Sequence, residues 1–319
     1  MRVVALAGGV GAGKLLRGLV RAVPEKDVTV IVNTGDDMQV HGLHVSPDID
    51  SVTYWLGGLA DRERGWGRAG ETFRATEELR AFGADGAWFG LGDLDLATHL
   101  FRTGLLAEGK TLSEATRAVA GRFGIQARIH PMSDDPVTTR VEAADDAGRS
   151  LDLHFQEYWV LRGARDQVKA IRFDGVDRAS PAPGILEALA EADVVVICPS
   201  NPIVSIDPIL AVPGVRDVVA RRRDDVVAIS PIVGGAPLRG MADKLLPVAG
   251  VEVSAAGVAE HYAGLLGSFV IDNVDRGLSD RILSLCGRMR VTDTIMVDDE
   301  AAERLARDAL DLAGGGRGR

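Results

Sequence analysis

Short apolar runs alternate with helical segments along much of the chain, which is the pattern of a parallel sheet flanked by helices. The first unit is a strand, a helix and a β-branched strand, at Val3 to Ala7, Leu15 to Val23 and Val28 to Val32. Two later apolar runs, Val194 to Ile197 and Val226 to Ile229, have the same character. We therefore predict an α/β fold with a Rossmann-like, doubly wound, mostly parallel sheet. Ligands of such sheets bind beyond the carboxyl ends of the strands, so the loops after these four strands should meet at one edge.

Helical periodicity replaces the strand pattern between about residues 49 and 123. It predicts helices from Glu71 to Phe82, Leu94 to Ala107 and Leu112 to Phe123. Thr111 and Glu114 have the spacing of a capping box at the start of the last helix. We expect residues 54–125 to form an inserted helical cap subdomain, with residues 1–53 and 126–319 forming the Rossmann-like core.

Alternation with period two returns between residues 126 and 175 and predicts antiparallel strands that either extend the core sheet or form a β-arm. The segments are Ala127 to Ile129, Val137 to Glu142, Leu151 to Val160 and Val168 to Phe173. The aromatic-rich stretch from His154 to Trp159 is interpreted as a strand that packs in the core rather than as part of a ligand site. The glycine- and arginine-rich segment 314–319 is expected to be a tail without function.

Composition excludes several classes of protein. A chain of 319 residues with 46% hydrophobic residues can bury a large core. Its net charge of −10 and pI of about 5.2 argue against nucleic acid as a partner. The sequence contains no apolar segment long enough for a membrane span and no signal peptide, so we expect a cytoplasmic protein. Cys198 and Cys286 are isolated in apolar surroundings, which indicates structural residues rather than a disulfide or a metal site.

A glycine-rich turn from Gly8 to Lys14 follows the first strand. It is not a standard P-loop, because Leu15 stands where the magnesium-binding hydroxyl would be. It is not the dinucleotide fingerprint either, because Lys14 replaces the last glycine. Glycines at a helix start allow close approach of a phosphate to backbone N–H groups. The alternative is a tight turn without a ligand.

Two pairs of acids follow this turn, Asp36 and Asp37 after the second strand and Asp48 and Asp50 a little later. Carboxylates near a phosphate site can hold the divalent cation that a diphosphate requires. Farther along, Asp93 is interpreted as the N-cap of a helix, with or without a role in binding. His99 lies in that helix, where a lone histidine is usually a packed or surface residue.

The order of these motifs resembles that of the 2-phospho-L-lactate transferase family of coenzyme F420 biosynthesis, over nearly the whole chain. The similarity is carried by the glycine turn with Lys14-Leu15-Leu16 and by the words Asn33-Thr34-Gly35-Asp36-Asp37, Ser46-Pro47-Asp48-Ile49-Asp50, Arg64-Gly65-Trp66-Gly67, Leu91-Gly92-Asp93-Leu94-Asp95-Leu96-Ala97-Thr98-His99, Pro131-Met132-Ser133-Asp134-Asp135-Pro136, His154-Phe155-Gln156-Glu157, Pro199-Ser200-Asn201-Pro202 and Ser230-Pro231-Ile232.

The resemblance implies a Mg²⁺-dependent transfer between two small molecules. The donor is a guanosine diphosphate conjugate of a three-carbon acid, either lactyl-2-diphospho-5'-guanosine or its enolpyruvyl counterpart, from which the 2-phospholactyl or phosphoenolpyruvyl group is transferred. The acceptor is the deazaflavin Fo (7,8-didesmethyl-8-hydroxy-5-deazariboflavin), whose terminal hydroxyl attacks the phosphorus next to the acid. The products are F420-0 or dehydro-F420-0 and GMP, and a homodimer is the expected assembly.

The same resemblance implies roles for residues of this chain. The diphosphate and the nucleotide fall to Gly9, Gly11, Gly13, Lys14, Ser200, Asn201 and Pro202. Mg²⁺ falls to Asp36 and Asp48, and the catalytic carboxylates are Asp36, Asp37 and Asp50. The residues expected to contact Fo are Asp50, Gly90, Asp93, Thr98, His99, Asn33 and Thr34.

Two other functions stay open at this point. One is a non-catalytic nucleotide-sugar-binding regulatory protein of the related gluconeogenesis-factor family, which shares the glycine turn and an acid pair but lacks the Pro47-Asp48-Ile49-Asp50 word. The other is a nicotinamide oxidoreductase, which the broken dinucleotide fingerprint disfavours. The sequence does not distinguish phospholactate, phosphoenolpyruvate and a glycerate analogue as the transferred acid, since a few pocket atoms make that choice.

Overall fold

The structure is a computed structural model in which residues 1–314 are described. Its strands are β1 (Val3–Ala7), β2 (Val28–Val32), β3 (Met38–Val40), β4 (Leu43–Val45), β5 (Arg128–Pro131), β6 (Thr138–Ala144), β7 (Ser150–His154), β8 (Gln167–Asp174), β9 (Val194–Ile197), β10 (Val226–Ile229), β11 (Ile232–Val233), β12 (Ala236–Pro237), β13 (Ser268–Asp272) and β14 (Arg288–Thr292).

The α-helices lie between these strands and after the last of them. They are α1 (Gly9–Ala22), α2 (Pro47–Leu56), α3 (Arg74–Ala81), α4 (Asp93–Ala107), α5 (Leu112–Arg122), α6 (Ile185–Glu191), α7 (Asp207–Ala211), α8 (Val215–Arg221), α9 (Ala242–Leu245), α10 (Ala255–His261), α11 (Ser279–Leu283) and α12 (Asp299–Gly314). Two π-helical segments, Glu157–Leu161 and Pro202–Ile206, follow strands β7 and β9.

The predicted parallel sheet is confirmed. Within the described residues it has seven strands in the order β14-β13-β10-β9-β1-β2-β5, and every neighbouring pair is parallel. Chain order runs outward in both directions from β1 and β9, so the crevice that binds ligands in doubly wound folds lies at the carboxyl ends of these two strands.

Both faces of the sheet are covered, which explains why its central strands are continuous apolar runs. All five residues of β1 are buried. Val4 and Leu6 belong to one hydrophobic core, and Val3, Ala5 and Ala7 belong to a second core on the other face. Helix α1 packs on the second face between α2 and α12. The buried sheet is thus a rigid base for the loops at its carboxyl edge.

The prediction of antiparallel strands between residues 126 and 175 is partly wrong. Ala127 to Ile129 leads into β5, which joins the edge of the main sheet parallel to β2. The other segments do form an antiparallel sheet, in the order β7-β6-β8. The strand predicted to continue to Val160 ends at His154, and the π-helical segment Glu157–Leu161 replaces it.

Helices α2 to α5 lie in the connection between β2 and β5. The capping box at α5 is confirmed, since the Glu114 N–H donates to the Thr111 hydroxyl and the Thr111 N–H donates to the Glu114 carboxylate. Helix α2 begins at Pro47, so the predicted acidic turn is the first turn of a helix, and this helix crosses the expected boundary at residue 54. The division into core and cap stays a prediction.

Helix α12 ends at Gly314, and the rest of the predicted tail lies outside the described residues. Across residues 1–314, none of the helices is both long and apolar enough to cross a membrane. Cys198 and Cys286 are both free and buried, as expected for structural cysteines.

Candidate active site

A cavity of about 920 Å³ opens at the carboxyl edge of the sheet. Loops after all four strands named in the prediction contribute to it, through Gly8 after β1, Asp36 after β2, Ser200 after β9 and Ser230 after β10. The predicted convergence of the loops is therefore confirmed. Most of the remaining wall comes from α2, α4, the loops around Trp66 and Phe89, and the segments after β7, β12 and β14.

The loops after β1 and β9 are joined directly at the crevice. The Ser200 hydroxyl accepts from the Gly8 N–H at 3.3 Å and donates to the Gly8 carbonyl at 2.8 Å. A Cβ on Gly11 would collide with the Pro199 carbonyl, so only glycine allows this approach. Sequence reasoning placed Ser200 at the nucleotide, and the structure shows that its hydroxyl also ties the two loops together.

Helix α1 begins at Gly9, earlier than predicted, so the glycine-rich segment is mostly the first turns of a helix. Gly9, Gly11 and Lys14 line the cavity. Gly13 does not, because it faces the helix pair α1–α2, where a Cβ would collide with the Trp55 ring. The glycine at position 13 is explained by helix packing.

Asp36 and Asp48 face the cavity from different elements and share one partner. The Asn33 side-chain amide donates to Asp48 Oδ2 at 2.9 Å and to Asp36 Oδ1 at 3.3 Å. Gln156 Nε2 donates to the other oxygen of Asp36 at 2.8 Å. Within residues 1–314 neither carboxylate forms an ion pair with lysine, arginine or histidine. This acid pair is held by amides and is not neutralised.

These surroundings raise the proton affinity of Asp36 and of Asp48. Burial, and then the neighbouring charge of Asp48, raise the pKa of Asp36 well above its ordinary value. Burial likewise raises the pKa of Asp48 to about 7, although the Asn33 amide opposes the shift. A buried carboxylate pair without a counter-charge favours either a proton or a metal ion.

Asp37 lies behind this pair and outside the cavity wall. Its carboxylate accepts from the Ser46 hydroxyl at 2.7 Å and contacts His44 Nε2 at 2.9 Å. Burial raises the pKa of Asp37, and the His44 hydrogen bond opposes that shift. Asp37 therefore holds in place the loop that carries Asp36. It does not line the cavity, where a ligand would bind.

Asp50 lines the cavity but is paired with a residue that sequence reasoning missed. Both of its carboxylate oxygens accept from Arg102, a fully buried guanidinium on α4. Burial alone would lower the pKa of Arg102, but the Asp50 charge outweighs it and raises that pKa. Position 102 follows His99 by three residues and Asp95 by seven, so the helical spacing placed it on their buried face.

His99 lies between two carboxylates of this cluster. Its Nδ1 is 3.6 Å from Asp50 and its Nε2 is 3.3 Å from Asp95, which also accepts from the Tyr54 hydroxyl. Asp50, Asp95 and His99 are close enough to hold a metal ion, with one ligand atom of each within 4.8 Å of the others. Since the Arg102 charge already compensates that of Asp50, a second cation there would be repelled. The Asp36 and Asp48 pair is therefore the better candidate for holding a metal ion.

The other predicted Fo contacts are divided between the cavity and its surroundings. Gly90 and His99 line the cavity, whereas Asn33, Thr34 and Thr98 are buried beside it. Asn33 acts through Asp36 and Asp48. Among the nucleotide candidates, Asn201 lines the cavity and Pro202 begins the π-helical segment behind it.

Asp93 lies away from the cavity and links two helices. Its prediction as N-cap of α4 is wrong, because Gly92 occupies that position and the Glu71 carboxylate accepts from the Leu94 and Asp95 N–H groups. Asp93 instead accepts from the first N–H groups of α3 and from the Thr72 hydroxyl. Asp93 thus caps the start of α3, and Glu71, which precedes α3, caps the start of α4.

Sequence reasoning also missed cavity residues on segments of irregular structure. They include Trp66, Gln156, Trp159 and Arg239. The stretch from His154 to Trp159 was interpreted as core because its aromatic residues fit a strand. A period-two pattern cannot reveal that the chain turns into a π-helical segment and directs Gln156 toward Asp36.

Two solved structures share the fold. Both are crystal structures of a UPF0052-family protein from Bacillus halodurans, each with a TM-score of 0.60 over 97% of this chain. The alignments cover 98% and 99% of the two crystallised chains, and the sequence identities are 17% and 19%. At this identity the likeness supports the Rossmann-like architecture alone.

Sequence comparisons are more specific. The chain is 51% identical over 314 residues to a phosphoenolpyruvate transferase of Streptomyces griseus subsp. griseus, with 98% of each chain covered. Proteins of the same name from Thermobifida fusca and Mycolicibacterium smegmatis are 47% and 40% identical, again over 98% of this chain and over 98% and 99% of their own length. The family model described as 2-phospho-L-lactate transferase CofD matches residues 3–309. The chain therefore belongs to the 2-phospho-L-lactate transferase family and is a transferase.

Proposed function

We propose that the protein transfers a phospho-three-carbon-acid group from its guanosine diphosphate conjugate to the deazaflavin Fo in coenzyme F420 biosynthesis. The observation that carries the proposal is the union, in one cavity, of a glycine-rich helix start and a carboxylate pair without a counter-charge. The relatives named phosphoenolpyruvate transferase favour the phosphoenolpyruvyl group, which would give dehydro-F420-0 and GMP.

The transfer exchanges one P–O bond for another. The terminal hydroxyl oxygen of Fo bonds to the phosphorus next to the acid, the bond from that phosphorus to GMP breaks, and GMP leaves with the electron pair. The hydroxyl proton passes to a base. Asp36 and Asp50 line the cavity and are candidates for that base, whereas Asp37 is placed behind them. Catalysis of such a step depends mainly on positioning and on stabilising phosphoryl charge.

Mg²⁺ fits the Asp36 and Asp48 pair. When bound, the ion would neutralise charge on the diphosphate. Asn33 and Gln156 hold these two carboxylates in place through three amide hydrogen bonds. The residues that would hold the metal are thus oriented by neutral partners, which leave their negative charge available to the ion.

The donor nucleotide fits the side of the cavity formed by α1 and the loop after β9. Gly9, Gly11 and Lys14 lie at the start of α1, where N–H groups and the helix dipole favour a phosphate. Ser200 and Asn201 lie across the crevice and would contact the nucleoside.

Fo fits the opposite side, where Asp50, Gly90 and His99 adjoin an aromatic wall. That wall is formed by Trp66, Trp88, Phe89 and Trp159. Flat aromatic side chains provide large apolar contact for a deazaflavin ring, while Asp50 offers an acceptor for its hydroxyls. The gluconeogenesis-factor alternative requires no such second ligand.

The decisive experiment is incubation of the purified protein with Fo, Mg²⁺ and a mixture of guanosine diphosphate conjugates, followed by mass spectrometry of the products. We expect dehydro-F420-0 and GMP in equal amounts. Failure to form a product from any conjugate would overturn the transfer. Undiminished turnover in excess chelator would overturn the metal assignment alone. Light scattering of the same sample tests the homodimer that we propose from the family resemblance.

A further inference from the structure

Among the described residues, three cationic side chains line the cavity, and they differ in how their charge is compensated. Arg64 pairs with Asp61 at 3.0 Å and lies against the Trp66 and Phe73 rings. Lys14 and Arg239 have main-chain carbonyls as their hydrogen-bond partners instead. Carbonyl dipoles fix the position of a cation but do not cancel its charge.

Arg239 follows β12 and reaches across the mouth of the cavity. Its guanidinium donates to the Arg64 carbonyl at 2.8 Å and to the Glu63 carbonyl at 3.2 Å. It lies on Gly65, whose φ is +83° and where any Cβ would collide with Nη1. The glycine therefore provides the surface on which the guanidinium is seated. In the described residues Arg239 forms no ion pair with a carboxylate.

Lys14 is held in the same way from the opposite side. Its Nζ donates to the Met296 carbonyl at 3.3 Å, and the described part of the chain offers it no carboxylate partner. Burial, and then the charges of Arg239 and Arg62, lower the pKa of Lys14. Arg62 pairs with Asp299 at 3.0 Å and shares this carboxylate with Arg17. Lys14 and Arg239 are thus two cations close enough to interact in the lining of the cavity, and neither has a carboxylate partner among the described residues. The Arg239 side chain is exposed, whereas Lys14 is partly buried.

We infer that Arg239 binds the diphosphate of the donor beside Lys14, which the family resemblance already assigns there, and that Arg239 stabilises the charge that develops on departing GMP. The inference rests on the proposed function. It places the diphosphate between the metal ion that Asp36 and Asp48 would hold and these two cations. Lys14 lies within two turns of the start of α1, which locates the pair at the phosphates.

An arginine suits this task because its planar guanidinium can donate two parallel hydrogen bonds to a phosphate. As the bond between phosphorus and GMP breaks, the electron pair moves onto the GMP oxygen. A cation already fixed by the Arg64 and Glu63 carbonyls meets that charge without reorganising, which is the condition for effective stabilisation. The contact with Gly65 therefore helps to position the Arg239 guanidinium.

The test compares ligand affinities of wild type, Arg239→Gln, Arg239→Lys and Lys14→Gln, measured by titration with GDP in the presence of Mg²⁺ and by the absorbance change of Fo. We expect Arg239→Gln to weaken GDP binding by about ten- to a hundredfold, the usual effect of losing a hydrogen bond to a charged group. Fo affinity should stay within a few fold. Arg239→Lys should retain part of the GDP affinity, and kcat should fall more than KM rises for the donor.

Arg223→Gln is the matched control. Arg223 also donates to two main-chain carbonyls, those of Leu266 and Leu285, but it precedes β10 and lies at the opposite edge of the sheet. Its substitution should leave GDP affinity unchanged. Equal loss of GDP and Fo binding in Arg239→Gln would show that Arg239 only holds the cavity together and would overturn the inference.

Other outcomes separate this inference from the function on which it rests. Wild-type turnover with unchanged GDP affinity in Arg239→Gln would overturn the inference and leave the function standing. Weakened binding of the conjugate without weakened binding of GDP would assign Arg239 to the carboxylate of the three-carbon acid, which also contradicts the diphosphate assignment. If wild type bound no GDP, the proposed function itself would fail.

Discussion

Two groups of acids face the same cavity and are held in opposite ways. Asp36 and Asp48 have amide partners, Asn33 and Gln156, which leave the carboxylates without a counter-charge. Asp50 has Arg102, whose guanidinium meets both of its oxygens. Residue type alone would make these acids equivalent. The difference in partners means that one group attracts a cation, while the other already has one and offers a fixed hydrogen-bonding surface.

One member of each group lies in the same turn of one helix. Asp48 and Asp50 both belong to the first turn of α2, two residues apart. Residues at that spacing point to different sides of a helix. Asp48 therefore meets Asn33 at the end of β2, and Asp50 meets Arg102 on α4. One short word in the sequence thus supplies acids to two chemically distinct parts of the site.

The largest expected effect comes from removing the counter-charge of Asp50. Arg102→Met leaves a buried carboxylate without its partner, so we expect the free energy of unfolding to fall by about 3–5 kcal/mol. Denaturant titration measures this change. The double variant with Asp50→Asn should recover part of the loss, because no unpaired charge then remains. Equal stability of Arg102→Met and wild type would show that the pair is not a structural unit.

The matching change at the other group should act on turnover instead. Asp36→Asn removes a charged ligand from the proposed metal site, and we expect turnover to fall about a hundredfold or more. Stability should be unchanged or higher, because the repulsion between Asp36 and Asp48 disappears. Initial rates at saturating Mg²⁺, read beside a thermal melt, measure both. A variant that keeps full activity would exclude Asp36 from the metal site.

The sequence predicted the parts of the site that follow from chain order. Apolar β-branched runs identified the strands, and the parallel arrangement then required their loops to meet at one edge. Asp36 and Ser200 were placed at this edge in this way, because each lies just after a strand, whereas the roles of Asp48 and Asp50 came from the motifs that resemble the family. The residues were identified by their position along the chain, without knowledge of their partners.

What the sequence did not provide is the pairing of side chains that lie far apart in the chain. Asp50 and Arg102 are 52 residues apart, and Asp36 and Gln156 are 120 residues apart. No local period specifies such contacts. The role of Gly13 at the diphosphate stays a prediction, because a glycine needed for packing against Trp55 looks the same in the sequence as one needed for a phosphate.

The raised pKa of Asp48 predicts how the stability of the protein depends on pH. The pKa of Asp48 is about 7 in the folded protein and has an ordinary value of 3.8, so the folded state binds more protons between these limits. Without metal, the contribution of Asp48 to the free energy of unfolding should therefore fall as pH rises from about 4 to 7, by at most roughly 1.4 kcal/mol per pH unit. Thermal melts across this range measure the slope.

Mg²⁺ should act in the opposite direction on the same group. It binds deprotonated carboxylates, so it should raise the thermal midpoint more at pH 8 than at pH 5. Asp48→Asn is the control, since it should flatten the slope and remove most of the metal effect. A metal effect that does not depend on pH would place the ion away from Asp48.

The smallest effect is expected at Asp93, a third kind of acid in the same region. Its carboxylate is satisfied by the Thr72 hydroxyl and by the N–H groups of Arg74 and Ala75, and it lies outside the cavity wall. Asp93→Asn should lower the thermal midpoint slightly and leave Fo affinity within about twofold, as for surface substitutions away from a site. Titration of Fo absorbance, beside a thermal melt, checks both. A strong loss of Fo binding at unchanged stability would return Asp93 to the substrate contacts that the sequence predicted and would extend the acceptor side of the cavity to the junction of α3 and α4.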